Sequence, residues 1–214
     1  MTNKKVTIVD YGIGNLLKVS RAIGAAGGDA IITSDPNHIR SAERLILPGV
    51  GSFPHGMEGL HSMDLLEPID QFQLTERPFL GICLGMQMML SESEEFGHHL
   101  GLDMIPGQVK AIPKTTLANE SHKIPLIGWM PLMPSAEGKW KSTPFATTDP
   151  MASAYFAHSF AAEPADPNHR LAEVDYNGRE ICAAIGRDNV FGCQFHPEMS
   201  SAVGLSILAR FIEF

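Results

Sequence analysis

The chain has few cysteines, no block of basic residues and no long uncharged run. Its three cysteines are an odd number without motif spacing, which argues against a disulfide-stapled scaffold and fits a reducing, cytoplasmic setting. Lysine and arginine total 16 against 24 acidic residues, giving a formal net charge of -8. A duplex-binding surface needs clustered cations to neutralise phosphates, so no nucleic acid partner is expected. The longest uncharged stretch, Pro78 to Leu90, is too short to span a bilayer. The opening MTNKKVTIVDYG passes from two lysines into an apolar run too brief for a secretory signal, so no membrane role is expected. There is no internal repeat, low-complexity tract or dividing linker. What remains is 214 residues, 44% of them hydrophobic, enough for one well-buried domain over 1–214.

Short β-branched runs alternate with amphipathic stretches in the first half. Residues 6–10, 30–33, 44–47 and 78–82 read as strands, and 16–26, 57–74 and 84–91 as helices. That alternation predicts a largely parallel sheet covered by helices on both faces. After Gly107 the pattern changes to short strands at 108–112, 124–132, 154–160, 171–174, 181–185 and 190–195. Turn signals at Asn177-Gly178 and Arg187–Asn189 mark hairpins, so an antiparallel region is expected in the C-terminal half. Ser200 to Phe214 reads as a closing helix, and 115–122 and 134–150 as surface loops.

The chemistry centres on GICLG, residues 81–85. A cysteine between two glycines at a strand-to-helix junction is the thiol form of a nucleophile elbow. The glycines permit the tight turn and close backbone approach, and a helix N-terminus beside the sulfur favours a thiolate. A small buried cysteine in a packed turn is the alternative. A nucleophilic thiol needs a base, and the base an orienting group. FGCQFHPEMS, residues 191–200, places His196 after an apolar run, with Glu198 two residues on. In an extended segment both side chains point the same way. Oxyanion donors are offered by the amide of Leu84 and by the glycine-rich loop LPGVG, residues 47–51. His98-His99 lacks partners at ligand spacing, so no metal site is expected. Met86, Met88 and Met89 read as core residues, and Cys182 and Cys193 as buried and inert.

PGVGSF (48–53), GICLGMQ (81–87), YFAHSF (155–160) and QFHPEMS (194–200) resemble, in order and spacing, the class I glutamine amidotransferases with a Cys-His-Glu triad. VDYGIGN (9–15) and IGW (127–129) make the pattern similar to the branch that serves imidazole glycerol phosphate synthase. The resemblance spans the whole chain. It implies a flavodoxin-like, three-layer α/β sandwich that needs no cofactor. It implies that Cys83 attacks the side-chain amide of L-glutamine to form a glutamyl thioester, that His196 moves the protons, and that Glu198 orients it. The Val50 amide would join Leu84 as oxyanion donor after a peptide flip. Gly49, Gly51, Gln87, His158 and Ser159 would bind glutamine. Asn15, Trp129, Tyr155 and Met199 would face a TIM-barrel synthase/cyclase subunit in a heterodimer.

Some residues depart from the family pattern. Met199 stands where a basic residue usually follows H-P-E, Phe160 replaces a tyrosine, and PLIGWM (125–130) replaces P-H-M-G-W-N. SEEFGHHLGL (93–102) is also similar to paralogues that supply ammonia for a surface-polysaccharide sugar. Two other functions compete: a stand-alone thiol hydrolase or peptidase, and an inactive scaffold. The PGVG and HS motifs argue against the first, and the intact Cys83, His196 and Glu198 against the second.

Overall fold

The computed structural model describes residues 4–214. Its first half alternates strand and helix: β1 (Lys4–Val9), α1 (Leu16–Ala25), β2 (Gly28–Thr33), α2 (Pro36–Arg40), β3 (Leu45–Leu47), α3 (Phe53–Ser62), α4 (Leu66–Gln73), β4 (Phe79–Ile82) and α5 (Leu84–Met88). Strands then dominate: β5 (Leu90–Ser93), β6 (His99–Leu100), β7 (Ile105–Ala111), β8 (Leu126–Pro131), β9 (Met133–Pro134), β10 (Ser153–His158), β11 (Phe160–Pro164), β12 (Arg170–Tyr176), β13 (Arg179–Arg187) and β14 (Val190–Cys193), before α6 (Ser201–Glu213).

The main sheet has eight strands in the order β2-β1-β3-β4-β14-β13-β12-β9. The first five are parallel, and the other three join antiparallel. The parallel part follows the flavodoxin-like order, as expected. Both of its faces are covered, so β1 and β3 are buried continuously at Val6–Val9 and Leu45–Leu47 rather than in alternation. On one face Val19 and Ile23 of α1 pack with Ile207, Leu208 and Phe211 of α6. On the other, Ile39 of α2, Leu60 of α3, and Ile69 and Phe72 of α4 pack with Met86 and Met88. Two smaller sheets, β10-β8 and β11-β7-β5-β6, flank the C-terminal half. No helix of the described residues is long and apolar enough to cross a membrane.

Three expected elements differ. The helix over 57–74 is two helices. Asp64 takes φ 55 and the Leu65 amide bonds back to the Leu60 carbonyl at 3.0 Å, a left-handed helix ending sealed by two fully buried leucines. The helix over 84–91 stops at Met88, because Leu90 to Ser93 pair with β7 instead. An apolar run alone does not distinguish these outcomes. The strand over 154–160 breaks at Ser159, so that β10 pairs with β8 while β11 pairs with β7. The Asn177-Gly178 hairpin is present, with φ 55 and 84 as a type I′ turn requires.

Candidate active site

The parallel strands β1, β3, β4 and β14 all release their chains at the same edge of the sheet, where ligands bind in open α/β folds. This brings together the turn at 11–15, the loop at 48–51, Cys83 and His196. Cys83 sits between β4 and α5 with φ 54 and ψ -108, a backbone strained for any residue with a Cβ. Its amide donates to the Cys193 carbonyl at 2.8 Å, which holds the elbow against β14. The flanking glycines have steric reasons. A Cβ on Gly85 would lie 1.8 Å from the Leu47 carbonyl oxygen, and one on Gly81 would lie 2.3 Å from the Met89 sulfur. Only glycine lets the elbow nest against β3 and its own helix. The Leu84 amide, first in α5, has no intrahelical acceptor and is free to serve as a donor.

His196 reaches the site by a different route from the one expected. The apolar run pairs as a strand only to Cys193, and Pro197–Met199 form a 3-10 turn. That turn still brings Glu198 Oε1 to 2.8 Å from His196 Nδ1, with both side chains nearly closed to solvent. Burial pulls the imidazole toward its neutral form. Hydrogen bonds and charge from Cys83 and Glu198 outweigh burial and hold its pKa up at about 10. The turn is braced from below. Ser200 Oγ donates to the His196 carbonyl at 2.7 Å and accepts the Tyr155 amide at 2.9 Å. Phe195 is fully buried, edge-on to Phe145 and Phe156; truncating such a ring to alanine typically costs about 3–5 kcal/mol. Ser200 therefore holds the cap position of α6 without capping it through its side chain.

Val50, Gly51, Cys83, Gln87, His158, Ser159 and His196 line one cavity of about 360 Å³. Gly49 is packed beneath, where a Cβ would fall 2.4 Å from the Tyr11 hydroxyl. That hydroxyl donates to the Pro48 carbonyl at 2.7 Å and anchors the start of the loop. Burial, and then the charge of Cys83, push its pKa above the usual phenol range. The other end of the loop is open: Val50 is 42% exposed and Gly51 has φ 94 with free space around it. Gln87 is almost fully buried and gives Nε2 to the Phe160 carbonyl at 2.9 Å and to Gln194 Oε1 at 3.0 Å.

His158 Nδ1 faces the Phe160 carbonyl at 2.7 Å, so it carries the proton and leaves Nε2 an unpaired acceptor. Burial pulls its pKa from 6.5 to about 4; the Phe160 carbonyl opposes this and the charge of His196 adds to it. A histidine held neutral in the fold but free to ionise when unfolded makes stability pH-dependent. Its contribution is complete above pH 6.5 and is lost as pH falls toward about 4, a loss of about 3 kcal/mol. Urea midpoints measured at neutral and mildly acidic pH should fall less in His158→Gln than in the parent.

Two residues of this site were not anticipated. Glu95 lines the cavity and accepts the Phe53 amide at 2.7 Å. Burial raises its pKa against the opposing effects of that bond and of His99. Gln194 is fully buried with Nε2 3.7 Å from Cys83 Sγ. The residues assigned to a partner face lie outside the cavity wall. Trp129 and Tyr155 pair across β8 and β10 with ring centroids 6.0 Å apart, Met199 is 38% exposed, and Asn15 caps α1 by accepting the Lys18 amide.

The remaining signals are structural. Met86, Met88 and Met89 are fully buried. Burial pushes the Cys182 thiol up to about 12 and that of Cys193 well above its ordinary value, so both are poor nucleophiles. His98 pairs with Glu92 on the surface, and His99 lies on the edge strand β6.

A family model described as class-I glutamine amidotransferase matches residues 7–213. The chain is 50% identical over 209 residues to imidazole glycerol phosphate synthase subunit HisH 1 of Legionella pneumophila strain Paris, covering 97% of this chain and 98% of the relative. It is 43% identical over 210 residues to subunit HisH of Geobacter sulfurreducens, covering 98% of each. In fold it is similar to the solved structure of PurLQS from Thermotoga maritima, with a TM-score of 0.73 at 18% identity over 99% of each chain. With the elbow, the His196–Glu198 pair and these likenesses over nearly its full length, the chain belongs to the class-I glutamine amidotransferase family, alongside the HisH subunits.

Proposed function

We propose that the chain is the glutaminase subunit of an imidazole glycerol phosphate synthase, acting in histidine biosynthesis. The observation that carries this reading is that Cys83 and His196 line one cavity, with Glu198 paired to His196 behind it, in a chain half identical to HisH. Cys83 Sγ attacks the side-chain carbonyl carbon of L-glutamine. The developing oxyanion takes hydrogen bonds from the Leu84 amide and, once the loop peptide turns inward, from Val50. Collapse breaks the C–N bond, and His196 gives its proton to the departing ammonia. His196 then takes a proton from water, which attacks the thioester, releases glutamate and restores the sulfur. Glu198 keeps the ring oriented and stabilises the imidazolium. Glu95 and the free Oε1 of Gln87 are placed to receive the α-ammonium group of glutamine, and Ser159 and Gly51 line the wall beside it.

Ammonia released here has to reach an acceptor. Val50 and Ile127 line the cavity, and they are exposed by 42% and 64%, as are Trp129, two residues further along β8, by 51% and Met199, just past His196, by 38%. Exposed apolar side chains of this kind suit a protein partner, and a TIM-barrel cyclase subunit fits the HisH relationship. Met199, apolar where the family pattern has a base, leaves the surface-sugar paralogue as the second reading. Glutamate release distinguishes the two readings: a chain that is slow alone and stays slow with a histidine-pathway cyclase would favour the second. The chain alone should be slow. A histidine-pathway cyclase with its ligand should raise the rate roughly a hundred- to a thousand-fold, the worth of one oxyanion donor. Full activity of the isolated chain, unchanged by any cyclase, would favour a stand-alone hydrolase.

A further inference from the structure

We infer that Gln194 is a positioning residue for the nucleophile: its side-chain amide donates a hydrogen bond to the sulfur of Cys83 and favours the thiolate. This rests on the reading of Cys83 as nucleophile. The inference starts from which way two buried amides must point. A carbonyl oxygen only accepts, so the Gln87 atom 2.9 Å from the Phe160 carbonyl must be the nitrogen. The same nitrogen lies 3.0 Å from Gln194, and its second hydrogen requires an acceptor there. That places Gln194 Oε1 toward Gln87 and leaves Gln194 Nε2 toward Cys83 Sγ, at 3.7 Å. The chain from the Phe160 carbonyl through Gln87 and Gln194 to the sulfur therefore has one polarity, and it ends in a donor at the reacting atom.

The backbone makes this arrangement stiff. The Gln194 amide donates to the Ala183 carbonyl at 2.9 Å, which extends the β13–β14 pairing by one residue. The side chain is fully buried, so no solvent competes for the bond. A donor to sulfur gains more from a thiolate than from a thiol, because the acceptor is then charged. It thus stabilises the sulfur before attack and again when it leaves the glutamyl group during hydrolysis of the thioester. Between those points, as a thioester, the sulfur is a weak acceptor and the bond contributes little. A plain core amide would make the same contacts but would leave the proton equilibrium of Cys83 unchanged.

The other titratable groups around the sulfur are His196 and Glu198 from the turn after β14, Tyr11 from the end of β1, and Cys193 from β14. Glu95 and His158 share the cavity. All are retained in the variants below. The test is the rate of Cys83 alkylation by iodoacetamide as a function of pH, read by intact mass on the full chain, with Cys83→Ser as the blank. Gln194→Met fills similar space without a donor. It should move the midpoint of the profile up by roughly one unit, the size of a charge-assisted hydrogen bond, and lower kcat for glutamine more than it raises KM. Gln194→Glu keeps the acceptor for Gln87 but places a carboxylate oxygen at the sulfur, and should move the midpoint further still. It also carries the test if Gln194→Met does not fold. Unchanged midpoints in a folded variant would overturn the inference and leave Gln194 a core amide. The alkylation profile needs no turnover, so it remains informative even if no cyclase elicits glutamine hydrolysis.

Discussion

Cys83→Ser should abolish glutamine hydrolysis and leave the fold intact. The elbow is set by contacts that serine keeps: the amide to Cys193, and Gly81 and Gly85 packed against Met89 and Leu47. The hydroxyl nearly matches the thiol in size, but at neutral pH it is a far weaker nucleophile. A loss of roughly ten-thousand-fold or more in glutamate release is expected, in line with removal of a catalytic nucleophile elsewhere, with an unchanged thermal melt. Cys182→Ser and Cys193→Ser, whose sulfurs are buried between strands, should keep the chemistry whatever they cost in stability. Glutamine hydrolysis by Cys83→Ser at the parent rate would remove the nucleophile from this account.

The second large effect separates the base from its orienter. His196→Ala removes the imidazole that lines the cavity with Cys83 and pairs with Glu198. Neither the leaving ammonia nor the attacking water then has a proton partner, and the rate should fall by roughly a thousand-fold or more. Glu198→Gln keeps the size and one hydrogen-bonding atom but loses the charge opposite the imidazolium. Such a charge-assisted bond is worth about 1.5–3 kcal/mol, so roughly a ten- to hundred-fold loss is expected. Steady-state rates of the two variants decide the point. Equal and negligible losses would reduce H-P-E to a turn that stops a strand.

The elbow was legible in the sequence because its glycines are forced. Where a Cβ would land 1.8 Å from a carbonyl oxygen, no other residue can substitute, and the constraint shows as G-x-C-x-G. The His196–Glu198 pair was legible for a looser reason. The spacing of two brought the groups together, although through a 3-10 turn rather than extended chain. Glu95 was hidden, because it is one of three glutamates in SESEEF and nothing in their spacing shows which one turns inward. Gln194 was hidden for the opposite reason: one polar residue in an apolar run gives no sign of its partners, which lie 107 and 111 residues away. The same limit explains the misread helices. Residues 57–74 keep helical spacing through Asp64, and the left-handed turn there depends on Leu60 and Leu65 meeting in the core. Residues 84–91 are mostly apolar, and pairing with β7 decided where the helix ends.

The central claim is that glutamine is cleaved through a glutamyl thioester on Cys83, and trapping that acyl group with hydroxylamine tests it most directly. Hydroxylamine competes with water for an acyl-enzyme, so it reports the intermediate whether or not the thioester accumulates. With the activating cyclase present, γ-glutamyl hydroxamate should form at the expense of glutamate, in proportion to added hydroxylamine, and neither product should appear with Cys83→Ser. Glutamate release that continues undiminished with no hydroxamate formed would mean that water attacks glutamine directly, and would contradict the account.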